Sequence, residues 1–293
     1  TIDLFNSLID DIMDSIKPES TLILRSTVTI NDIEYIKNNN NFENKNINLA
    51  YCPERIAEGQ AFEELAKLPQ IVGVEKDSEY QNIKEFFSSL EIETIKTNIK
   101  ESVFIKLFTN AYRHANFSLA NEFFNIAYKN NLNFQKIIKI AKENYPRLEH
   151  FPFTGYVGGP CLPKDLETFI KTFEVNNSLL EHLESVNNDY LNNIVNKCLK
   201  IFVEKKVIQL GISFKNNSDD IRGSGGVELN KKLKKKGFEV YTVDPYMNEY
   251  EEDIETFEYE DVKESTNNIL IAVNHNEFLN YDLKNKTILY AEF

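Results

Sequence analysis

Only three cysteines, Cys52, Cys161 and Cys198, occur in the 293 residues. An odd, low count at wide spacing does not read as a disulfide framework, and it points to a reducing cytosolic compartment. No cysteine pair has zinc-finger spacing and the four histidines do not cluster, so no metal site is expected. No apolar run approaches the ~20 residues that a membrane helix needs. The N-terminal stretch TIDLFNSLIDDIMDSI is acidic and amphipathic and lacks a cationic region, so it is not expected to be a signal peptide. A starting methionine is also lacking, so a processed or truncated product is expected. Basic charge is in deficit: 33 Lys and Arg face 46 Asp and Glu, a net −13. That balance argues against general affinity for nucleic acid or anionic membranes, and leaves open a local basic pocket for an anionic ligand. Finally, no G-x-G-x-x-G follows a first strand. The nearest glycine run, GYVGGP, follows helices and is not the dinucleotide fingerprint.

What is present is ordinary for a globular chain: 42% hydrophobic residues and enough length for two or three domains. Residues 3–16 have helical apolar spacing through Leu4, Phe5, Leu8, Ile9, Ile12 and Ile16. Strand candidates are 21–28, 47–51, 70–74 and 92–96, with helical stretches near 60–67 and 78–90. From about 98 to 203 the pattern turns wholly helical. A long helix that is apolar around much of its circumference needs a partner, often a second copy of itself. From 206 the alternation returns: KVIQLGI, a helix at 224–236, FEVYTV, NILIAV and TILYAEF. The chain therefore reads as α/β, with an α/β segment at 1–97, an all-helical centre at 98–203 and a second α/β domain at 204–293.

Four constellations carry possible chemistry. Cys161 lies in GYVGGPCLPKD, after Gly155, Gly158 and Gly159 and between Pro160 and Pro163. Glycines let backbone N–H groups approach a ligand, and Lys164 with a following helix start would favour a thiolate. Asp165 would serve as a base or orienting group. The bland alternative is a buried, inert cysteine, at which Cys52 and Cys198 are left. Next, Lys106, Asn110 and Arg113 stand at i, i+4 and i+7 on one helix face, with Asn121 near the same stripe. Such a face is usually solvated, but among Phe104, Leu107, Phe108, Phe117 and Leu119 it would make an oxyanion site. Third, Glu54 and Glu58 in CPERIAEG either hold a water or simply favour a helix N-terminus. Fourth, Lys215 and Arg222 follow a strand and precede a helix, as paired cations suited to phosphate or as surface charge.

In order along the chain, LRSTV, CPERIAEG, the K-x-x-x-N-x-x-R of 106–113, GYVGGPCLPKD, FKNNSDDIR and VDPY resemble the nucleotide-sugar 6-dehydrogenases. PERIAEG and EELAKLPQIVG look like the branch that oxidises UDP-N-acetyl-D-mannosamine, whereas UDP-glucose enzymes typically carry PEF. The resemblance implies a partial Rossmann-type NAD domain, a central helical dimerisation domain and a C-terminal Rossmann-like UDP-binding domain. It implies NAD as cofactor, a UDP-sugar as substrate and a homodimer, with no nucleic-acid or membrane partner. It makes Cys161 the nucleophile of a double oxidation that passes through a thioester. Lys106 and Asn110 would stabilise the oxyanion or move a proton, and Asp165 and Glu58 would manage the hydrolytic water. Glu54, Arg55, Ile56, Arg113, Arg147, Gly155, Gly158, Phe214 and Lys215 would contact the UDP-sugar. Thr27, Lys164 and Arg222 would face NAD. Three features depart from the pattern. Roughly the first hundred residues of the family, with the glycine fingerprint, precede the matching region. The D-x-R that commonly follows the last strand is not reached, and Pro160 stands where relatives often have another residue. Alternatives are a UDP-glucose or UDP-N-acetylglucosamine dehydrogenase and, in another class, a non-catalytic UDP-sugar-binding or dimerisation module.

Overall fold

The computed structural model describes residues 2–56, 64–65, 67–247 and 254–291. Two compact units emerge: Thr1–Asn110 with Asp165–Val175, and Ala111–Lys164 with Asn176–Phe293. Their boundary falls inside two helices and once more after Val175.

The first unit begins with α1 (Ile2–Ser15), β1 (Thr21–Leu24), α2 (Ile30–Asn38), α3 (Asn40–Asn44) and β2 (Asn48–Tyr51). It continues with β3 (Gln70–Gly73), α4 (Asp77–Ser88), β4 (Thr94–Thr97) and the start of α5 (Ile99–Lys129). The sheet runs β1-β2-β3-β4. β1 pairs with β2, and β3 with β4, in parallel; β2 and β3 meet antiparallel at Tyr51 opposite Gly73. A strand's periodicity does not encode its direction, so this reversal departs from the mostly parallel layer that alternation predicts. β1 ends at Leu24, short of the strand candidate that runs to Val28, because Arg25, Ser26 and Thr27 interrupt the apolar run. The following turn instead prepares α2, where Thr29 accepts the Asp32 N–H and Asp32 accepts the Thr29 N–H. One face of the sheet packs Ala50, Cys52, Val72 and Val74 against Ile83 and Phe87 of α4.

The second unit takes most of α5 and then α6 (Phe134–Lys142), α8 (Leu183–Ile201), β5 (Lys206–Leu210) and α9 (Gly225–Lys235). β6 (Glu239–Val243), α10 (Tyr259–Val262), β7 (Asn268–Ile271) and β8 (Thr287–Tyr290) complete it. The intervening α7 (Leu162–Thr172) straddles the boundary between the units. This second sheet is wholly parallel, in the order β6-β5-β7-β8. Its central strands are buried on both faces, as parallel sheets require. Val207 and Leu270 face a core with Tyr190, Ile194, Leu229 and Leu233. Ile208, Leu210, Ile269 and Ile271 face the opposite core with Val243, Tyr259 and Phe278. The chain leaves β5 toward β6 on one side and then crosses to β7 on the other. This order puts a topological switch point at the carboxyl ends of β5 and β7, where open α/β sheets bind ligands.

Candidate active site

In the first unit the helical spacing of Lys106 and Asn110 brings both to one carboxylate. Asn110 Nδ2 donates to Asp165 Oδ2 at 2.6 Å, and Lys106 Nζ lies 3.7 Å from the same oxygen. Asp165, in the first turn of α7, is 1% exposed, so this charge-assisted contact is shielded from water. Apolar packing fixes the two helices: Phe104 of α5 makes edge contacts with Phe169 and Phe173 after the Asp165 turn. Tyr51 is fully buried at the end of β2. Burial pushes its phenol well above the usual range, and the charge of Asp165 adds to that rise.

Around β1 and β2 the polar side chains engage backbone groups. Glu54 Oε1 accepts the N–H groups of Arg55 (2.8 Å) and Ile56 (2.9 Å), and its other oxygen pairs with Arg25. Burial pushes the Glu54 carboxyl up, but the Ile56 N–H and Arg25 outweigh it and hold it below the ordinary value. Arg55 donates to the Pro69 carbonyl at 2.7 Å. Arg25, Glu54, Arg55 and Ile56 line one small cavity with Gln70 and Ile92. Thr27 is half-buried in the loop that leaves the carboxyl end of β1. Glu58 lies outside the described residues.

In the second unit Cys161 is exposed and immediately precedes α7, whose first turn carries Lys164. The other two thiols are buried, and burial pushes each up to about 12. The segment leading to Cys161 is held by asparagines. Asn121 Nδ2 donates to the Gly155 carbonyl (2.7 Å) and its Oδ1 accepts the Gly155 N–H (3.0 Å). Asn187 repeats the exchange with Val157, at 3.0 and 2.8 Å. Each side-chain amide thus acts as a strand neighbour would toward an extended segment that has no strand beside it. Asn121 is marked in the sequence by its helical position; no motif marks Asn187.

The glycines of this loop have specific duties. Gly159 has φ +83°, and a Cβ there would come within 2.7 Å of the Phe214 ring. A Cβ on Gly158 would meet the Gly223 carbonyl at 2.2 Å, and the Gly159 N–H donates to that carbonyl at 3.2 Å. The cysteine loop therefore rests on Phe214 and on the turn before α9. Lys215 Nζ stands 5.2 Å from the Phe214 ring centre, and Arg222 makes a two-pronged contact with Asp220 at 2.6–3.1 Å. Arg113 and Arg147 are exposed; Arg147 lies over Tyr145, and Gly155 is half-buried.

Three domain models of one family match most of the chain: the NAD binding domain over residues 1–91, the central domain over 100–189 and the UDP binding domain over 208–290. The chain belongs to the UDP-glucose/GDP-mannose dehydrogenase family. NAD is the cofactor that its first domain is built to bind. Among curated relatives, the UDP-N-acetyl-D-mannosamine dehydrogenase of Methanocaldococcus jannaschii is 29% identical across 97% of this chain and 68% of its own length. That of Methanococcus aeolicus is 28% identical across 94% of this chain and 64% of its own length. The putative UDP-glucose 6-dehydrogenase YtcA of Bacillus subtilis is 30% identical across 82% and 59%. The chain thus spans roughly two thirds of the length of these relatives. The solved UDP-D-ManNAc dehydrogenase of Pyrococcus horikoshii shares the fold with a TM-score of 0.81 at 24% identity, covering 96% of this chain and 69% of its own. The UDP-N-acetyl-mannosamine dehydrogenase Cap5O of Staphylococcus aureus aligns at 0.79 with 25% identity, covering 99% and 72%.

Proposed function

We propose that the protein carrying this chain oxidises the C6 hydroxyl of UDP-N-acetyl-D-mannosamine to the carboxylate. The observation that carries the reading is buried Asp165, shared by Lys106 and Asn110 and set four positions after exposed Cys161 in the chain. A thiol, two oxyanion donors and a carboxylate are what an alcohol-to-acid oxidation through a thioester requires.

The residues available to NAD suit it. The Thr27 loop leaves the carboxyl end of a parallel strand, and Lys164 and Arg222 are cations of the kind that pyrophosphate needs. NAD, when bound, supplies the hydride acceptor for both oxidations. Cys161 adds as thiolate to the C6 aldehyde, forming a C–S bond and an oxyanion. Lys106 and Asn110 donate to that oxyanion. Loss of the remaining C6 hydrogen as hydride leaves a thioester on Cys161. Water, relieved of a proton at Asp165 or Glu58, attacks the thioester carbon; the C–S bond breaks and the thiol is regenerated. Phe214 and Lys215 hold the nucleotide at the switch point of the second sheet. Arg55, Ile56, Arg113, Arg147, Gly155 and Gly158 contact the sugar and diphosphate.

A second reading, UDP-glucose as substrate, is favoured by the likeness to the Bacillus subtilis protein. Comparing kcat/KM on UDP-N-acetyl-D-mannosamine, UDP-N-acetylglucosamine and UDP-glucose decides between them. A preference for glucose would overturn the first.

Tyr112, Leu119, Phe123 and Ile126 on α5 are each 46–57% exposed and recur at helical spacing along one face. A second copy of the chain covers this stripe in our reading. Sedimentation at micromolar concentration is expected to show a dimer, and a monomer would refute it. Among the described residues no helix is long and apolar enough to cross a membrane.

A further inference from the structure

We infer that His275 is a positioning residue for nucleotide binding: in its neutral form it shapes the 213–217 turn that presents Phe214 and Lys215. This inference rests on the reading of the second sheet as the UDP site. His275 follows β7, is fully buried, and reaches across the switch point to the loop after β5. The Asn217 N–H donates to its Nδ1 at 2.9 Å. That contact requires a lone pair on Nδ1 and so places the imidazole proton on Nε2. Nε2 lies 3.1 Å from Asp244 Oδ2 and 3.2 Å from Ser213 Oγ.

The two neighbours of β5 therefore grip its loop from opposite sides. From β6, Asp244 Oδ2 accepts the Ile212 N–H at 2.8 Å, while Oδ1 accepts the Tyr246 N–H at 3.0 Å. From β7, His275 takes the Asn217 N–H, and the Asn276 N–H donates to Asn217 Oδ1 at 3.0 Å. Between them Ser213 Oγ donates to the Lys215 carbonyl at 2.8 Å, closing the turn around Phe214. The backbone there is unusual at both ends. Gly211 has φ +84°, and a Cβ on it would strike the Val273 carbonyl at 2.5 Å; Asn217 has φ +54°. In this turn the Phe214 N–H donates to the Asp220 carbonyl at 2.8 Å, and side chains supply the further hydrogen bonds just described. Tyr246 and Phe278 pack on the imidazole, with ring centres at 5.0 and 5.2 Å, and fix its plane.

The test is calorimetric titration of UDP into the full chain, the parent beside His275→Asn, His275→Leu and Ser213→Ala. In His275→Asn the side-chain amide oxygen would replace Nδ1 as acceptor, whereas leucine leaves the Asn217 N–H without one. UDP affinity is expected to fall about tenfold in His275→Leu and to stay within about threefold in His275→Asn. Ser213→Ala is expected to weaken UDP about fivefold by releasing the Lys215 carbonyl. Thermal midpoints read in parallel fall for both histidine variants, so affinity alone separates positioning from bulk stability. Equal losses in His275→Asn and His275→Leu, or affinities within about twofold of the parent in His275→Leu and Ser213→Ala, overturn the inference. Should His275→Leu not fold, Ser213→Ala decides by the same criterion. A parent chain that does not bind UDP overturns the underlying UDP-site reading instead.

Discussion

Replacing Asn187 by leucine tests how the cysteine loop is held. Asn187 is fully buried and exchanges two hydrogen bonds, at 2.8 and 3.0 Å, with the N–H and carbonyl of Val157, itself 3% exposed. Leucine matches the shape and removes both partners, leaving a donor and an acceptor of the backbone out of reach of water. Each such group costs about 1–3 kcal/mol, so the pair costs about 2–6 kcal/mol before leucine's apolar burial recovers about 1–2 kcal/mol. Taking the midpoints, a net loss of about 2.5 kcal/mol is expected in urea unfolding followed by circular dichroism. Turnover is expected to suffer through kcat, because Val157 stands four residues before Cys161 in the same loop. Asn187→Asp provides the control. Its carboxylate still accepts the Val157 N–H but opposes the carbonyl, so that variant regains stability as pH falls through the carboxylate range. A loss below about 0.5 kcal/mol in Asn187→Leu would refute the strand-mimic argument.

Other consequences follow from burial and charge. Alkylation at pH 8 with mass readout is expected to label Cys161 alone, since Cys52 and Cys198 are buried thiols pushed up to about 12. Labelling of either buried cysteine in the folded chain would contradict the packing described for both cores. Burial pushes the Asp244 carboxyl up, but the His275 hydrogen bond and the Ile212 N–H outweigh it and leave it below the ordinary value of 3.8. A folded-state pKa below the unfolded one contributes stability that is complete above about pH 4 and is lost as pH falls through the folded value. Unfolding free energy should therefore fall more steeply toward acid in the parent than in Asp244→Asn; parallel slopes would contradict it.

Several elements are open to reading from the sequence. The strands of the second sheet stand out because runs such as KVIQL and NILI are apolar on both faces and bounded by turns. The pairing of Lys106 with Asn110 follows from the helical repeat. That both meet Asp165 does not, because a contact across 55 positions has no periodic signature. Helix α2 escapes a reading by apolar periodicity, although its capping box, Thr29 with Asp32, is written in the sequence. The reversal at β3 is not legible, since alternation carries no direction. The motif leaves Glu54 either holding a water or favouring a helix N-terminus; that it accepts the N–H groups of Arg55 and Ile56 in its own turn is not written in the spacing. The roles of His275 and Asn187 are illegible for a common reason. Each satisfies backbone groups of a distant loop, and lone polar residues in a sequence do not reveal which loop they serve.

The central claim is that Cys161 carries the second oxidation. The most direct measurement is the NADH formed per UDP-N-acetyl-D-mannosamine consumed by the protein carrying this chain, beside its Cys161→Ser variant. The account predicts two NADH per sugar with the uronic acid as product, and no acid from the variant. One NADH per sugar with free aldehyde, or undiminished acid from Cys161→Ser, would contradict it.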